Sequence, residues 1–235
     1  MKVIILCGGL GTRLAEETRT KPKPMVYIGN KPIIWHLIKY YYSYGYNDFI
    51  LATGYKSKII NNFFKKNKIK GCNIILKYTG KKTLTGGRIL RLQKYLGNDD
   101  FLLTYGDGLS NINIKKLIKF HKKNEAIVTV SAVRPPVRFG ELSISKNGTV
   151  NAFKEKPQSG KNWINGGFFV VKSHIFNYLK NDKTVLERTP LASLAAQKKL
   201  KAFKHYSFWQ CMDTMRDKIL LNKLWNQGLA KWKRW

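Results

Sequence analysis

Long apolar runs are missing from this sequence. No stretch approaches the roughly 18 apolar residues that a membrane-spanning helix requires, and the apolar run that follows Lys2 is only five residues long. Such a run is too short for the apolar centre of a secretory signal peptide. The sequence therefore predicts a cytoplasmic protein that has neither a transmembrane helix nor a membrane partner.

Cysteine is also scarce, and Cys7, Cys72 and Cys211 lie far apart in the chain. Disulfide-stabilised domains carry many paired cysteines, and structural zinc sites place theirs at short, regular spacings. Neither pattern is present. The sequence therefore argues against a disulfide framework and against a structural zinc site.

Acidic residues are few: the chain has 13 Asp and Glu against 44 Lys and Arg, which gives a formal net charge of +31. A field of this sign attracts nucleic acid or an anionic membrane surface. The alternative is a composition rich in Lys, Ile and Asn on an ordinary enzyme. The lysines are spread along nearly the whole chain, without an arginine-rich arm, zinc-finger spacing or RNA-binding aromatic signature. This distribution favours the alternative, and we expect no nucleic-acid partner.

Short apolar runs typical of buried strands alternate with segments whose apolar residues recur at helical spacing. The predicted strands cover residues 3–6, 49–52, 73–78, 101–104, 127–133 and 168–171. The predicted helices begin at Pro32, cover residues 59–64, 89–96 and 114–121, and include a final helix through Leu224. Such alternation is typical of βαβ units that form a mostly parallel sheet.

The second half of the chain has a different character. Residues 141–153 read as a β-hairpin around Asn147-Gly148, a strong turn signal. No linker, repeat or low-complexity segment interrupts the sequence. It therefore predicts one α/β domain over residues 1–235, with a Rossmann-like, mostly parallel sheet flanked by helices. Residues 1–133 form its core, and residues 134–235 a β-rich elaboration with the C-terminal helix.

A glycine-rich segment, residues 6–13, follows the first predicted strand. Glycines there let the backbone approach a ligand and expose N–H groups to an anion, and Arg13 could hold phosphate oxygens. The alternative is a structural turn with a surface arginine, since neither a Walker loop nor a dinucleotide-binding spacing is present. Lys23 follows between Pro22 and Pro24, which fix its direction as a phosphate contact requires.

Two aspartates are candidates for holding a metal ion. Asp107 lies between two glycines at the carboxyl end of a predicted strand, where ligands of open α/β sheets bind. Asp213 precedes the last helix and is the natural second carboxylate. Mg²⁺ binds few protein oxygens together with substrate phosphates, so two carboxylates suit it. Either aspartate could instead be a helix cap or turn residue.

A third segment, Glu155-Lys156-Pro157, follows the hairpin and precedes Asn165-Gly166-Gly167-Phe168. The alternative here is a surface ion pair. Beside a sugar phosphate, Lys156 would neutralise the phosphate and Glu155 would accept hydrogen bonds from sugar hydroxyls. The glycines would let the backbone lie against the sugar ring.

Taken together, these segments resemble the sugar-1-phosphate nucleotidyltransferase family, and specifically its glucose-1-phosphate cytidylyltransferase branch. The general pattern is matched by Gly11-Thr12-Arg13, Lys23 between prolines, Gly106-Asp107-Gly108 and Glu155-Lys156-Pro157. Segments similar to the branch are residues 16–18, Thr85-Gly86-Gly87-Arg88, residues 134–140, residues 163–169 and residues 208–217. The likeness extends from residue 1 to residue 235.

The resemblance implies a nucleotide-diphospho-sugar transferase fold, a Mg²⁺ cofactor and a role for each matching residue. CTP would be bound by Leu6, Gly8, Gly9, Leu10, Gly11, Thr12, Arg13, Lys23, Thr83, Arg88 and Gly106. Glucose 1-phosphate would be bound by Glu155, Lys156, Asn165 and Gly166. Asp107 and Asp213 would hold Mg²⁺, and Arg13, Lys23 and Asp107 would be catalytic.

The implied reaction is attack of the sugar phosphate on the α-phosphorus of CTP, which gives CDP-glucose and pyrophosphate. It requires positioning and charge neutralisation rather than a general base. A related enzyme that uses UTP, dTTP or another sugar phosphate, and a catalytically silent module on the same fold, are the alternatives. We also expect a homo-oligomer.

Two departures from the family pattern matter. The connection over residues 64–73 is short, which leaves base preference and oligomeric state open. Cys7 stands where alanine is usual, and a thiol near the phosphates suggests sensitivity to oxidation.

Overall fold

The computed structural model describes residues 1–9, 11–135, 140–154 and 162–235, and for Glu141 only the backbone. Leu10, Glu155 and Lys156 lie outside the described residues, as does most of the 134–140 segment.

Thirteen strands, eight α-helices and three short 3₁₀ helices are found in the described residues. The strands are β1 (Val3–Cys7), β2 (Tyr27–Ile28), β3 (Lys31–Pro32), β4 (Asp48–Thr53), β5 (Asn73–Tyr78), β6 (Phe101–Tyr105), β7 (Gly108–Ser110), β8 (Val128–Val133), β9 (Glu141–Ile144), β10 (Val150–Lys154), β11 (Ile164–Val171), β12 (Leu200–His205) and β13 (Trp209–Cys211). The helices are α1 (Ala15–Thr18), α2 (Ile33–Tyr42), α3 (Ser57–Lys66), α4 (Thr85–Leu90), α5 (Gln93–Leu96), α6 (Ile114–Lys123), α7 (Thr189–Ala196) and α8 (Met215–Asn226).

Seven strands form the central sheet in the order β12-β8-β11-β6-β1-β4-β5. Strand β11 is antiparallel to β6 and β8, whereas the other neighbouring pairs are parallel. The predicted fold class, a mostly parallel sheet flanked by helices, is confirmed. The predicted hairpin is also present, as the separate pair β9–β10.

The core lies on both faces of this sheet. Along β1, Val3 and Ile5 pack into one apolar cluster with α2 and α6, and Ile4 and Leu6 pack into the other with α4. Because successive strand residues point to opposite faces, a strand covered on both sides reads as a continuous apolar run. This explains the uninterrupted apolar segment after Lys2.

Several predicted boundaries are wrong. The helix expected over 89–96 is two short helices, α4 and α5, and α4 begins earlier, at Thr85. Pro32 precedes the first helical residue of α2 rather than occupying it. Strand β12 was not predicted because it lies at the edge of the sheet and its lysines interrupt the apolar pattern. No helix in the described part of the chain is long and apolar enough to cross a bilayer.

A cluster of aromatic rings joins the C-terminal residues to α2. Trp232 is fully buried, stacks with Phe208 and Trp225, and donates its Nε1–H to Nδ1 of His36 over 3.4 Å. The Nε2 atom of His36 lies 3.0 Å from the carbonyl oxygen of Ile28, so Nε2 carries the proton of the neutral ring. Burial lowers the pKa of His36 to about 4.

This environment predicts a pH-dependent stability. The unfolded chain binds a proton at His36 below about pH 6.5, whereas the folded protein does so only near pH 4. The free energy of unfolding should therefore fall by about 3 kcal/mol as the pH drops between these values. Urea unfolding of wild type and His36→Leu across pH 4–8 measures this, since the variant lacks the titrating group. Parallel pH profiles for the two proteins would contradict the assignment.

Candidate nucleotide-binding site

A cleft of about 450 Å³ opens at the carboxyl ends of β1 and β6. Ligands of open α/β sheets bind at such strand ends. Every residue predicted for the nucleotide or the metal that the structure describes lines this cleft: Leu6, Gly8, Gly9, Gly11, Thr12, Arg13, Lys23, Thr83, Arg88, Gly106, Asp107 and Asp213. The fold thus brings together residues up to 207 positions apart, from Leu6 to Asp213.

Lys23 is the centre of the charged side of the cleft. Its Nζ lies 2.7 Å from Oδ2 of Asp107 and 2.6 Å from Oδ1 of Asp213. The guanidinium of the exposed Arg13 pairs with the other oxygen of Asp213. Burial alone lowers the pKa of Lys23, but the two carboxylates outweigh it and raise the pKa above its ordinary value. The ammonium therefore stays charged.

Neither aspartate serves as a helix cap, although Asp107 does lie in a turn, which was the other alternative for it. Helix α8 is capped by Thr214, whose hydroxyl accepts from the backbone N–H of Asp217, while the Asp217 carboxylate accepts from the backbone N–H of Thr214. This capping box leaves the Asp213 carboxylate to face Lys23. Asp107 lies between β6 and β7, before a strand and not before a helix.

The glycine-rich segment is held in place by Arg88. This buried guanidinium donates to the carbonyl of Gly8 over 2.9 Å, to that of Gly80 over 2.8 Å, and to the hydroxyl of Thr79 over 2.8 Å. A Cβ on Gly8 would lie 2.1 Å from Arg88 Cζ, so glycine is required there. A Cβ on Gly9, by contrast, would have no atom of the described residues within 4 Å, so it would face open space in this part of the structure.

Cys7 also lines the cleft but is buried, with its Sγ 3.2 Å from the carbonyl of Ile5. Burial raises the pKa of this thiol, with the Arg88 charge opposing and Asp107 adding to the effect. Because the thiolate is the reactive form, a thiol in this setting is inert. Burial and the raised pKa therefore disfavour the sensitivity to oxidation that was expected for Cys7.

A smaller cavity of about 40 Å³ adjoins the cleft, and both are lined by Tyr105 and Asp107. Asn165 and Gly166, predicted for the sugar phosphate, lie here. A Cβ on Gly166 would lie 2.6 Å from Ser131 Oγ, and one on Gly167 would lie 2.6 Å from the Tyr105 ring. These glycines are therefore required by packing within the protein, which the sequence could not distinguish from contact with a sugar.

Sequence reasoning did not assign Tyr105 or Glu187 to the site. The Tyr105 hydroxyl donates to Oε1 of Glu187 over 2.5 Å, and Thr85 donates to Oε2 over 2.6 Å. Tyr105 stood within the motif that ends in Gly106-Asp107-Gly108, which was a usable signal. Glu187 stands in a segment that matched no recognised motif.

Known proteins resemble the chain over its whole length. The nucleotidyl transferase family model matches residues 2–217. The chain is 44% identical over 257 aligned positions to the glucose-1-phosphate cytidylyltransferase of Salmonella typhimurium, with 100% of both chains covered. It is 42% identical over 256 positions to the probable glucose-1-phosphate cytidylyltransferase of Bacillus subtilis, again with 100% of both covered.

Among solved structures, a putative glucose-1-phosphate thymidylyltransferase from Bacillus anthracis, crystallised in complex with a sucrose, has a TM-score of 0.75 at 21% identity. The match covers 100% of this chain and 97% of that one. This similarity supports the fold described above.

The two neighbouring glycines should respond differently to substitution. Gly8→Ala forces the buried Arg88 guanidinium away from its acceptors, an overpacking that costs about 2 kcal/mol and lowers the melting temperature by about 4 to 8 °C. Gly9→Ala is the matched control and should melt within about 2 °C of wild type, because its methyl group enters open space. Differential scanning calorimetry measures both. Equal melting temperatures for Gly8→Ala and wild type would show that Arg88 does not hold the loop.

Proposed function

Because the chain belongs to the nucleotidyl transferase family, as the match over residues 2–217 shows, we propose that it transfers the cytidylyl group of CTP to glucose 1-phosphate. The products are CDP-glucose and pyrophosphate. The proposal rests on one observation. Two carboxylates that form ion pairs with the same lysine, together with an arginine, line a glycine-rich cleft at the carboxyl edge of the sheet.

The glycine-rich segment suits a nucleotide with its phosphates. Gly9 leaves open space above the backbone, and Gly11 adopts a left-handed conformation (φ 67°) that glycine tolerates. Arg13 stands at the mouth of the cleft with an exposed side chain, and Lys23 lies deeper. Two cations at different depths can neutralise phosphate groups that span the cleft.

In the proposed reaction, a phosphate oxygen of glucose 1-phosphate forms a bond to the α-phosphorus of CTP as the bond between that phosphorus and the bridging oxygen breaks. Pyrophosphate leaves with the bonding electrons. A phosphate monoester is already an anionic nucleophile and has no proton to lose. Lys23 and Arg13 therefore contribute by holding the reacting phosphates in place and neutralising their charge.

The residues present fit a magnesium ion. Asp107 and Asp213 already direct carboxylate oxygens toward one cationic group, the Lys23 ammonium, at 2.7 and 2.6 Å. No cluster of three potential ligands among His, Cys, Asp and Glu was found in the described residues, but Mg²⁺ commonly takes one or two carboxylates plus substrate phosphates. We propose that Asp107 and Asp213 hold it, and that the ion, when bound, supplies charge neutralisation at the phosphates.

The choice of CTP is supported by the full-length identity to the two cytidylyltransferases. Both alignments extend over more positions, 257 and 256, than the 235 residues of this chain, so the relatives have segments that it lacks. The short connection between α3 and β5, already noted in the sequence, is consistent with this difference. Base preference therefore needs a direct test.

The homo-oligomer remains a prediction. The hairpin β9–β10 offers a surface for it, because its register places Leu142, Ile144, Val150 and Phe153 on one face. All four are more than half exposed, between 51% and 62%. Contiguous exposed apolar groups of this kind are typical of interaction surfaces.

Pyrophosphate release tests the proposed function. Glucose 1-phosphate is supplied with CTP, UTP, dTTP or ATP, each with and without Mg²⁺. We expect magnesium-dependent release with CTP, at least about tenfold faster than with any other nucleotide, a difference of about 1.4 kcal/mol in transition-state stabilisation. Preference for UTP or dTTP would overturn the assignment to CTP but not the reaction class, and no release with any nucleotide would overturn both.

Two aspartate variants make the assay specific. Asp107→Asn keeps the size of the side chain but removes a charged ligand, and its turnover should fall by at least about 100-fold. Asp48→Asn is the matched control, because Asp48 begins β4 at the opposite end of the strands and its side chain accepts, within the described residues, from the exposed Asn73 amide alone. Its turnover should equal that of wild type. Full activity of Asp107→Asn at saturating magnesium would contradict the role of Asp107.

A further inference from the structure

Tyr105 forms the wall between the large cleft and the small cavity. Its side chain lines both spaces, and its ring covers Gly167, where a Cβ would lie only 2.6 Å from the ring. The edge-to-face contact with Phe169, at a centroid distance of 5.7 Å, supports the ring from the sheet. A tyrosine in this place can influence what binds on either side.

The Tyr105 hydroxyl belongs to a chain of hydrogen bonds with a fixed direction. Asn165 Nδ2 donates to the hydroxyl over 3.1 Å, and the hydroxyl donates to Glu187 Oε1 over 2.5 Å. Burial, together with the Glu187 carboxylate, raises the pKa of Tyr105, so the hydroxyl keeps its proton. A carboxylate only accepts, which forces the hydroxyl to donate to Glu187 and to accept from Asn165.

The same chain fixes the orientation of the Asn165 amide. Its Oδ1 accepts from the backbone N–H of Gly167 over 2.8 Å, and one Nδ2 hydrogen goes to Tyr105. An amide nitrogen carries two hydrogens. Among the described residues the other hydrogen meets no acceptor, and Asn165 lines the small cavity, where an acceptor could receive it.

Glu187 is one of several groups that attach its own segment to the protein. Residues 182–184 already dock on α4, where backbone N–H groups of Leu84 and Gly86 donate to the carbonyls of Asp182 and Thr184 over 2.8 and 3.0 Å. Arg91 adds a two-pronged ion pair with Asp182. Gly87 also requires this contact, since a Cβ would lie 2.6 Å from Asp182 Cα. The Glu187 carboxylate can therefore act on Tyr105, the side chain that separates the two cavities.

We propose that Glu187 is a positioning residue, which acts through Tyr105 to hold the Asn165 amide with an N–H donor directed at the sugar of the acceptor substrate. Glu187 also accepts from Thr85 on the wall of the large cleft, so it joins the two subsites. This inference rests on the proposed function for the identity of the acceptor. The hydrogen-bond chain itself can be tested independently of it.

The kinetic test uses Glu187→Ala, Tyr105→Phe and the double variant. Each single substitution should raise KM for glucose 1-phosphate about tenfold, the cost of a hydrogen bond to a charged group, with kcat and the Kd for CTP changed by less than about threefold. The double variant should be no worse than the more affected single one, because both changes break the same chain. Glu187→Gln should recover most of the loss, since its amide oxygen can still accept from Tyr105.

Asp182→Asn is the matched control for a merely structural role. It weakens the other acidic anchor of the same segment without touching Tyr105, and its KM should match that of wild type. Losses that multiply in the double variant, an equal loss in Asp182→Asn, or a defect confined to CTP binding would each overturn the proposal. If Glu187→Ala does not fold, the KM values of Tyr105→Phe and Glu187→Gln for glucose 1-phosphate test the proposal instead.

A spectroscopic readout separates this inference from the proposed function. In protein labelled with 3-fluorotyrosine, the Tyr105 resonance is assigned by its loss in Tyr105→Phe. It should shift in Glu187→Ala and stay in place in Asp182→Asn, whether or not glucose 1-phosphate is the acceptor. Absence of turnover in wild type with a shifted resonance would overturn the proposed function alone, and an unshifted resonance would overturn the role of Glu187.

Discussion

The site depends on the ion pairs that Lys23 makes with Asp107 and Asp213. These residues come from three distant parts of the chain: a short proline-bounded turn, the end of β6 and the residue before the cap of α8. Two carboxylates this close would repel each other in a partly desolvated cleft, and the ammonium between them offsets that repulsion. The cluster thus links three segments of the chain and defines a place where a cation is favoured.

Glycines determine how closely the surrounding segments can approach. Gly8 admits the Arg88 guanidinium, Gly87 admits the backbone of Asp182, and Gly166 lies against Ser131. Each of these contacts is within the protein. Among the glycines of the loop, Gly9 is the one at which a Cβ would meet no atom of the described part of the chain. The glycine-rich loop is therefore shaped first by its packing against Arg88, and its surface toward a ligand follows from that packing.

Much of the fold could be predicted from the sequence because its strands are buried on both faces. The apolar runs at β1, β4 and β6 and the turn at Asn147-Gly148 needed no knowledge of tertiary contacts. The edge strand β12 and the division of one predicted helix into α4 and α5 did need it. The first lacks an apolar pattern, and in the second the apolar residues recur at helical spacing across the break between Leu90 and Gln93, so the spacing does not mark it.

The site was predictable to the extent that its residues stand in short motifs at strand ends. Asp107 and Lys23 could be found in this way because neighbouring glycines and prolines mark them. Glu187 could not be found in this way, because the role of this exposed acidic residue is indicated only by the hydroxyl groups that contact it in the folded protein. The glycines of the motifs could be found from the sequence. Their spacing does not show whether each faces a ligand or another part of the protein, because that depends on tertiary contacts.

Binding of Mn²⁺ to the nucleotide-free protein, followed by electron paramagnetic resonance, tests most directly whether Lys23, Asp107 and Asp213 form one cation site. In wild type the ion competes with the Lys23 ammonium for the two carboxylates. Lys23→Met should bind Mn²⁺ at least about tenfold more tightly, a gain of about 1.4 kcal/mol, and adding Asp107→Asn to this variant should abolish the gain. Equal or weaker binding by Lys23→Met would show that the two carboxylates do not form a cation site.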